Sequence, residues 1–265
     1  MLKVKIEGLD RVQKKCQSIA GKARRAAVEA MTKTAQEIKR AERASMEQSF
    51  DRPTPWVLNS LYMQRATKDK PEARVWLKDE AGKGTPASKI LQAQIDGGAR
   101  RQKRSEKALQ RIGVLPSGWV AVPTRHAKKD GYGNMDRGQL VQILSALEAF
   151  GEQGYKANST IRSRKARWKG NAKKGIRGHE YFAIGPGSKG LPPGIYMRKN
   201  YSSDERQKVA HLRRDGAKPI MIFAPKASYT VRLRFFDIAQ EVIDRDLNRN
   251  FNETLRKYMQ ADGLL

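Results

Sequence analysis

The longest helical pattern in the chain is residues 9–48, LDRVQKKCQSIAGKARRAAVEAMTKTAQEIKRAERASMEQ. Apolar side chains recur in it at alternating spacings of three and four residues, which predicts one long helix with an apolar stripe along one face. Because most of the stripe is Ala, the helix can approach another helix closely while burying little area. Pro53 and Pro55 end the pattern, since Pro cannot donate the backbone hydrogen bond. The stripe consists of Leu9, Val12, Cys16, Ile19, Ala23, Ala26 and Ala30, and continues with a phase shift through Met31, Ala35, Ile38 and Ala41.

A second amphipathic helix is predicted near the other end of the sequence, at about residues 232–247, continued or kinked into 251–259. The two helices are the natural pair to pack together over a sheet. If they do so, replacing Ile19 or Ile38 by Asp buries an unpaired charge and destabilises the protein. The apolar positions of this second helix are Phe235, Ile238, Ala239, Val242, Leu247, Phe251, Leu255 and Tyr258.

Short strands and helices are predicted between these two helices, and one strand before them at residues 2–6. Thr85 before Pro86 is predicted to cap a helix to about residue 95, and Asp136 to cap another that reaches Phe150. A basic helix is predicted at 100–111. The further predicted strands are 57–67, 73–78, 119–122, 181–184, 194–198 and 219–224.

This order of elements predicts an α+β fold, with long first and last helices packed on a small, mostly antiparallel sheet, and with inserted helices and basic loops. We expect residues 1–50 and 180–265 to form the core domain. Residues 51–155 would be an inserted α+β region, and residues 156–179 a basic arm or loop.

The charge of the chain is its strongest compositional anomaly. Its 265 residues contain 54 Lys and Arg against 27 Asp and Glu, a net charge of +27, with a pI near 10.4. A single cysteine rules out an intrachain disulfide framework. No apolar run approaches the roughly 20 residues of a membrane helix, and no signal-peptide pattern opens the sequence. We therefore expect a protein made in the cytoplasm that binds no membrane and has an acidic partner.

No catalytic, metal or cofactor motif stands out, so we expect a protein that is not an enzyme. The turn around Lys83 lacks the Ser or Thr and the leading Gly of a phosphate-binding loop. Gly194-Ile195-Tyr196 matches the first half of a nuclease signature, but its second half does not follow. The three histidines have no carboxylates at metal-ligand spacing.

The excess of positive charge is concentrated in residues 100–111 and 156–177, and the second of these has nine basic residues and no acidic one. So few apolar residues accompany that charge that we expect a loop, mobile in the free protein. Such an arm could dock on an acidic protein surface, or could neutralise phosphates while Trp168 stacks on a base. The candidate docking residues are Arg100, Arg101, Lys103, Arg104, Arg162, Arg164, Lys165, Arg167, Trp168, Lys169, Lys173 and Lys174.

Several short motifs resemble the minor tail protein Z, or tail completion, family of long-tailed phages and related prophages. The shared features are a Gly-Leu turn before a long Ala-rich helix, a Pro-Gly-aromatic strand, a basic-Pro-Ile strand and a final helix. The resemblance covers about residues 1–50 and 180–260, and the middle of the chain is longer than in lambda-type members. Its motifs are Ile6-Glu7-Gly8-Leu9, Tyr181-Phe182-Ala183-Ile184, Pro193-Gly194-Ile195-Tyr196-Met197-Arg198 and Lys218-Pro219-Ile220.

The resemblance implies a structural virion protein that completes the tail at its head-proximal end, the neck, and so enables head–tail joining. It implies no enzymatic activity and no cofactor. The implied partners are the tail tube, the tail terminator and the head–tail connector, with a possible contact to the end of the genomic DNA. In the particle the chain would form a homo-oligomer, most simply a six-fold ring, with three-fold also compatible. The alternative is a nucleic-acid-binding protein, a packaging or ribosome-associated factor, that uses its basic arm.

Overall fold

The structure is a computed structural model that describes residues 9–261, except residues 83, 189, 202–216 and 226–227. The strand predicted at residues 2–6 lies outside the described residues. The described residues form an α+β fold with long first and last helices and small antiparallel sheets. The helices are α1 (Leu9–Ser49), α2 (Pro55–Leu58), α3 (Ala87–Ile95), α4 (Arg104–Arg111), α5 (Arg137–Ala146), α6 (Ile161–Lys169) and α7 (Phe235–Ala261).

The strands are short, and most of them pair with a neighbour in the sequence. Two 3₁₀ segments, Glu152–Ala157 and Ala172–Lys174, flank α6. The strands are β1 (Leu61–Gln64), β2 (Arg74–Leu77), β3 (Gly98–Ala99), β4 (Trp119–Pro123), β5 (Gly170–Asn171), β6 (Ile176–Arg177), β7 (His179–Ile184), β8 (Gly194–Lys199), β9 (Lys218–Pro225) and β10 (Ser228–Tyr229).

The chain divides into two compact units. Unit 1 consists of residues 1–97 and 230–265, and unit 2 of residues 98–229. These boundaries differ from those expected from the sequence. Residues 51–97 belong with the long helices because their hairpin packs there, and residues 180–229 belong with the middle of the chain because β9 pairs with β4.

In unit 1, α1 and α7 lie antiparallel and pack along each other, as the sequence predicts. The β1–β2 hairpin packs on α1, and its Leu61 and Leu77 join a core with Met46 of α1. Leu91 of α3 and Leu233 enter the same core. The long helices therefore pack on a small antiparallel sheet.

Unit 2 is built on a four-stranded antiparallel sheet in the order β4-β9-β8-β7. The strands predicted at 119–122, 181–184, 194–198 and 219–224 are confirmed as its four members, each slightly longer than predicted. Helices α4 and α5 supply Leu109 and Ile143 to the core against this sheet, where Ile195 and Ile220 are fully buried.

Local capping explains where the elements depart from the predicted boundaries. Thr54 accepts a hydrogen bond from the Val57 amide (3.3 Å) and starts the single turn α2, so the strand predicted from residue 57 begins only at residue 61. Thr85 does not cap α3, because the helix begins one residue later with Pro86 at its N-cap. Helix α5 is capped by Asp136 as predicted.

Two helices also end differently from the prediction. Helix α5 ends at Ala146 and does not reach Phe150, because Glu148 adopts the left-handed φ of 56°. The amide of Ala149 then returns to the carbonyl of Leu144 and closes the helix end. Helix α7 continues through residues 247–251 as one helix to Ala261.

Candidate docking surface

Residues 161–169 form a helix, so the prediction of a loop is wrong for this part of the basic segment. The side chain of Thr160 accepts a hydrogen bond from the Ser163 amide (3.2 Å) and caps the helix start. Gly170, at a φ of 75°, turns the chain into the small β5–β6 hairpin. A local cap and turn thus order a stretch that has little apolar surface of its own.

One face of α6 is held to the body of unit 2 by polar contacts. Arg164 pairs with Glu148 and also donates to the Ser159 carbonyl (3.4 Å). Arg167 donates to the Ser159 hydroxyl (3.0 Å), and Ser159 is itself buried. These two arginines were both expected to serve as docking groups. Both anchor the helix, although the Arg164 side chain is still 50% exposed.

Trp168 is half-buried, and a cation already covers its ring. The guanidinium of Arg198 lies 5.9 Å from the ring centroid and also pairs with Glu180. The carbonyl of Trp168 accepts a hydrogen bond from the Asn200 side chain (3.1 Å). The ring expected to stack on a base is therefore part of the packing that fixes α6.

The opposite face of α6 presents an exposed stripe of cations. Arg162, Lys165 and Lys169 follow spacings of three and four residues, so they share one side of the helix. Lys173 and Lys174 are exposed in the turn that follows. We call these five residues the α6 basic stripe.

Two exposed isoleucines flank the α6 basic stripe and were absent from the predicted surface. Ile161, at the start of α6, is 72% exposed, and Ile176 of β6 is 52% exposed. The only signal for them in the sequence is that they are apolar residues in a segment otherwise rich in charge. Cations mixed with exposed apolar side chains are typical of a surface that binds a protein partner.

The first basic cluster is organised differently, because a buried carboxylate holds part of it. Glu106 of α4 is 1% exposed and accepts two hydrogen bonds from the Arg100 guanidinium (2.5 and 2.9 Å). It also accepts from the backbone amides of Lys103 (2.7 Å) and Ala121 (3.0 Å). Arg100 is therefore a structural residue, whereas the side chains of Arg101, Lys103 and Arg104 are exposed.

The electrostatics of Glu106 follow from these contacts. Burial opposes ionisation, but the Arg100 guanidinium and the two backbone amides outweigh it and lower the pKa of Glu106. The carboxylate also accepts a hydrogen bond from the Ala121 amide, which faces outward from β4, an edge strand of the sheet. This part of the edge is thus closed to pairing with another strand.

The two basic clusters are held by different carboxylates, Glu106 beside Arg100 and Glu148 beside Arg164. Among the described residues, no hydrogen bond connects residues 100–104 with residues 162–174. The nuclease-like tripeptide at residues 194–196 lies buried in β8, where the Tyr196 hydroxyl donates to the Pro192 carbonyl (2.8 Å). Tyr196 is a core residue of unit 2.

The described part of the chain contains no group of three His, Cys, Asp or Glu side chains placed to hold a metal ion. Within the same residues, none of the helices is both long and apolar enough to span a bilayer.

Comparisons with known proteins return no match. No family model, no curated protein and no solved structure matches this chain.

Proposed function

We propose that this protein is a structural component of a phage virion that completes the tail at its head-proximal end and enables head–tail joining. It acts by docking, without catalysis, on tail-tube, tail-terminator and connector subunits. In the particle it forms a ring, most simply six-fold, and its surface there meets acidic protein or the end of the DNA.

One observation carries the proposal: three of the four motifs that resemble the tail completion family lie together in the fold. The stretches 181–184, 194–198 and 218–220 belong to β7, β8 and β9, three neighbouring antiparallel strands of one sheet. The long helix α1 precedes them in the chain and α7 follows them, which is the order that the resemblance implies.

The charge distribution supports docking on acidic partners. Unit 2 contains 28 Lys and Arg against nine Asp and Glu, a net charge of +19, whereas unit 1 has 26 against 18, a net charge of +8. The α6 basic stripe lies in unit 2. A surface of one sign steers complementary partners and rejects others of like charge.

The proposal is tested by deleting the gene from the phage genome that carries it. We expect a loss of plaque titre, with heads and tails that fail to join productively in electron micrographs. The wild-type chain supplied in trans should restore the titre and be found in purified particles. Normal titres without the gene, together with absence of the chain from particles, would overturn the proposal.

The role of the α6 basic stripe is tested in the same assay with charge reversals. Arg162→Glu/Lys165→Glu/Lys169→Glu should fail to restore the titre. The matched control is Lys107→Glu/Lys128→Glu/Lys129→Glu, which makes the same change in charge at exposed positions of unit 2. Equal complementation by both triple variants would show that the stripe is not the docking surface.

The exposed cation stripe also favours a second candidate function, binding of nucleic acid. The five exposed cations of the α6 basic stripe, which form no ion pair with an acidic residue in the described part of the chain, can neutralise several phosphates and release counterions. Retention of the chain on duplex DNA that falls steeply between 50 and 200 mM salt, and that requires Arg162, Lys165 and Lys169, would favour this candidate. Retention unchanged by the triple variant would count against it.

A further inference from the structure

Helix α1 extends well beyond the helix that packs against it. Their antiparallel register is set by cross-helix hydrogen bonds: Tyr258 donates to Glu29 (2.6 Å), and Lys33 donates to the Thr254 hydroxyl (3.1 Å). Further along, Asn250 donates to Thr34 (3.0 Å). Each step toward the end of α7 is matched by a step toward the start of α1.

This register places Ala261, the last residue of α7, opposite about Ala26 of α1. In this register, residues 9–25 of α1 extend past Ala261, the last described residue of α7. At 1.5 Å per residue, this projecting segment is about 25 Å long.

The apolar stripe that α7 covers continues into the projecting segment without a break. Under α7, Ala26 and Ala30 are fully buried and Ile38 nearly so. Beyond the end of α7, the same spacing of three and four residues returns to Ala23, Ile19 and Cys16 and, in the sequence, to Val12 and Leu9. Cys16 is exposed and Ile19 only half-buried. Among the residues that the structure describes, no helix continues the cover of α7 along the stripe between Cys16 and Ala23.

The charge around this seam indicates the kind of helix that would fit. Residues 9–25 contain six basic residues and one acidic residue. Lys15 is one residue before Cys16, at a heptad position that flanks the seam, where charges select the partner in helix–helix pairing. A partner with Glu or Asp at its own flanking positions would be complementary to it.

We propose that the projecting segment of α1 is a docking site for an acidic amphipathic helix of another protein, which continues the seam that α7 begins. The inference stands apart from the proposed virion role. A second copy of the chain fits less well, because two such segments would bring like charges together. A lipid surface also fits less well, because the stripe is narrow and made largely of small side chains, whereas interfacial helices bury a broad face of bulky ones.

The probe is a fluorescent 28-residue peptide of four heptads, with Leu at the a and d positions and Glu at the e and g positions. Its binding to the full-length protein is measured by fluorescence anisotropy at 50 and 500 mM salt. We expect saturable binding that weakens with salt. The α6 basic stripe is a competing electrostatic site, so the assay needs variants that separate the seam from charge alone.

The seam variant is Cys16→Asp/Ile19→Asp, and the matched control is Gln17→Asp/Ser18→Asp. Both add two negative charges within the same turn of α1, but residues 17 and 18 lie off the stripe and are exposed. We expect the seam variant to weaken peptide binding at least tenfold and the control to weaken it less than about threefold. Because the altered positions lie beyond α7, both variants should retain the circular dichroism and thermal midpoint of the wild type.

Cys16, the single cysteine of the chain, provides a second readout. Its reaction with a thiol reagent should be fast in the free protein and slow when the peptide is bound. Equal weakening by both double variants, or thiol reactivity unchanged at saturating peptide, would overturn the inference. It would also be overturned by seam-dependent self-association in sedimentation, or by seam-dependent binding to vesicles of 30% anionic lipid without binding to the peptide.

Discussion

Glu42 is a carboxylic acid enclosed in the apolar stretch of α1 between Ile38 and Met46. Its side chain is 0% exposed, and neither oxygen has a hydrogen-bond partner among the described residues. Burial disfavours the charged form and raises the pKa of Glu42 to about 8. At neutral pH the group is therefore mostly protonated, in a position where an Ala or Leu would suit the seam better.

This burial makes the stability of the protein depend on pH. The folded pKa lies above the unfolded pKa of about 4.3, so the folded state holds the proton more tightly and loses stability as the pH rises between these two values. Relative to Glu42→Gln, the wild type should lose roughly 1.4 kcal/mol per pH unit from about pH 5 to pH 8, and level off above. Chemical denaturation at each pH measures the difference.

Glu47→Gln is the control, since Glu47 lies five residues further along α1 and is half-exposed beside Arg43. Its pH profile should follow that of the wild type. Parallel profiles for Glu42→Gln and the wild type would mean that Glu42 ionises freely and is not enclosed.

At the scale of elements, α1 consists of a covered half and a projecting half, and the two should respond differently to the same substitution. Ile38→Asp places a charge at a position that is 7% exposed, so we expect a loss of several kcal/mol in the free energy of unfolding. Ile19→Asp, beyond the end of α7, should change it by less than about 1 kcal/mol, which revises the equal effect expected from the sequence. Urea denaturation of both variants measures this, and equal losses would show that residue 19 is buried as deeply as residue 38.

Helix α6 depends on a close approach of backbone that only glycine permits. A Cβ on Gly178 would lie 1.8 Å from the Trp168 carbonyl oxygen, whereas a Cβ on Gly185 would meet nothing within 4 Å. In Gly178→Ala the backbone must shift to make room for the methyl group, which costs about 2 kcal/mol of local stability. We therefore expect α6 to open more often and trypsin to cleave within residues 162–174 at least about tenfold faster. Gly185→Ala should be cleaved like the wild type, and equally slow cleavage of both variants would refute this account.

Helices α1, α5 and α6 differ in how far the sequence could predict them. Local signals sufficed for α1 and for the start of the helix capped by Asp136, because the periodicity and the capping residue belong to the element itself. They failed for α6, whose anchors are Glu148, Ser159 and Asn200, residues whose proximity is created only by folding. For the same reason, Arg164 and Arg167 could not be recognised from the sequence as anchors.

At the scale of the whole molecule, the net charge of +27 opposes self-assembly. Six copies in a ring would bring about 160 positive charges together, and screening over about 10 Å at 0.1 M salt relieves this only in part. We expect a monomer or small oligomer at 50 mM salt by light scattering, with more association at 500 mM. A stable hexamer at 50 mM salt without partners would contradict the argument, and a single copy in assembled particles would rule out the ring.

The length of the projecting segment of α1 affects how this charged protein makes its first contact with a binding partner. Its projecting segment is about 25 Å long, roughly two and a half screening lengths at 0.1 M salt. Individual charges around α7 are therefore largely screened from a molecule that meets the far end of this segment. The first contact there depends on the cations of the projecting segment itself. The charges of the rest of the protein act on the second molecule only after it has bound to this segment.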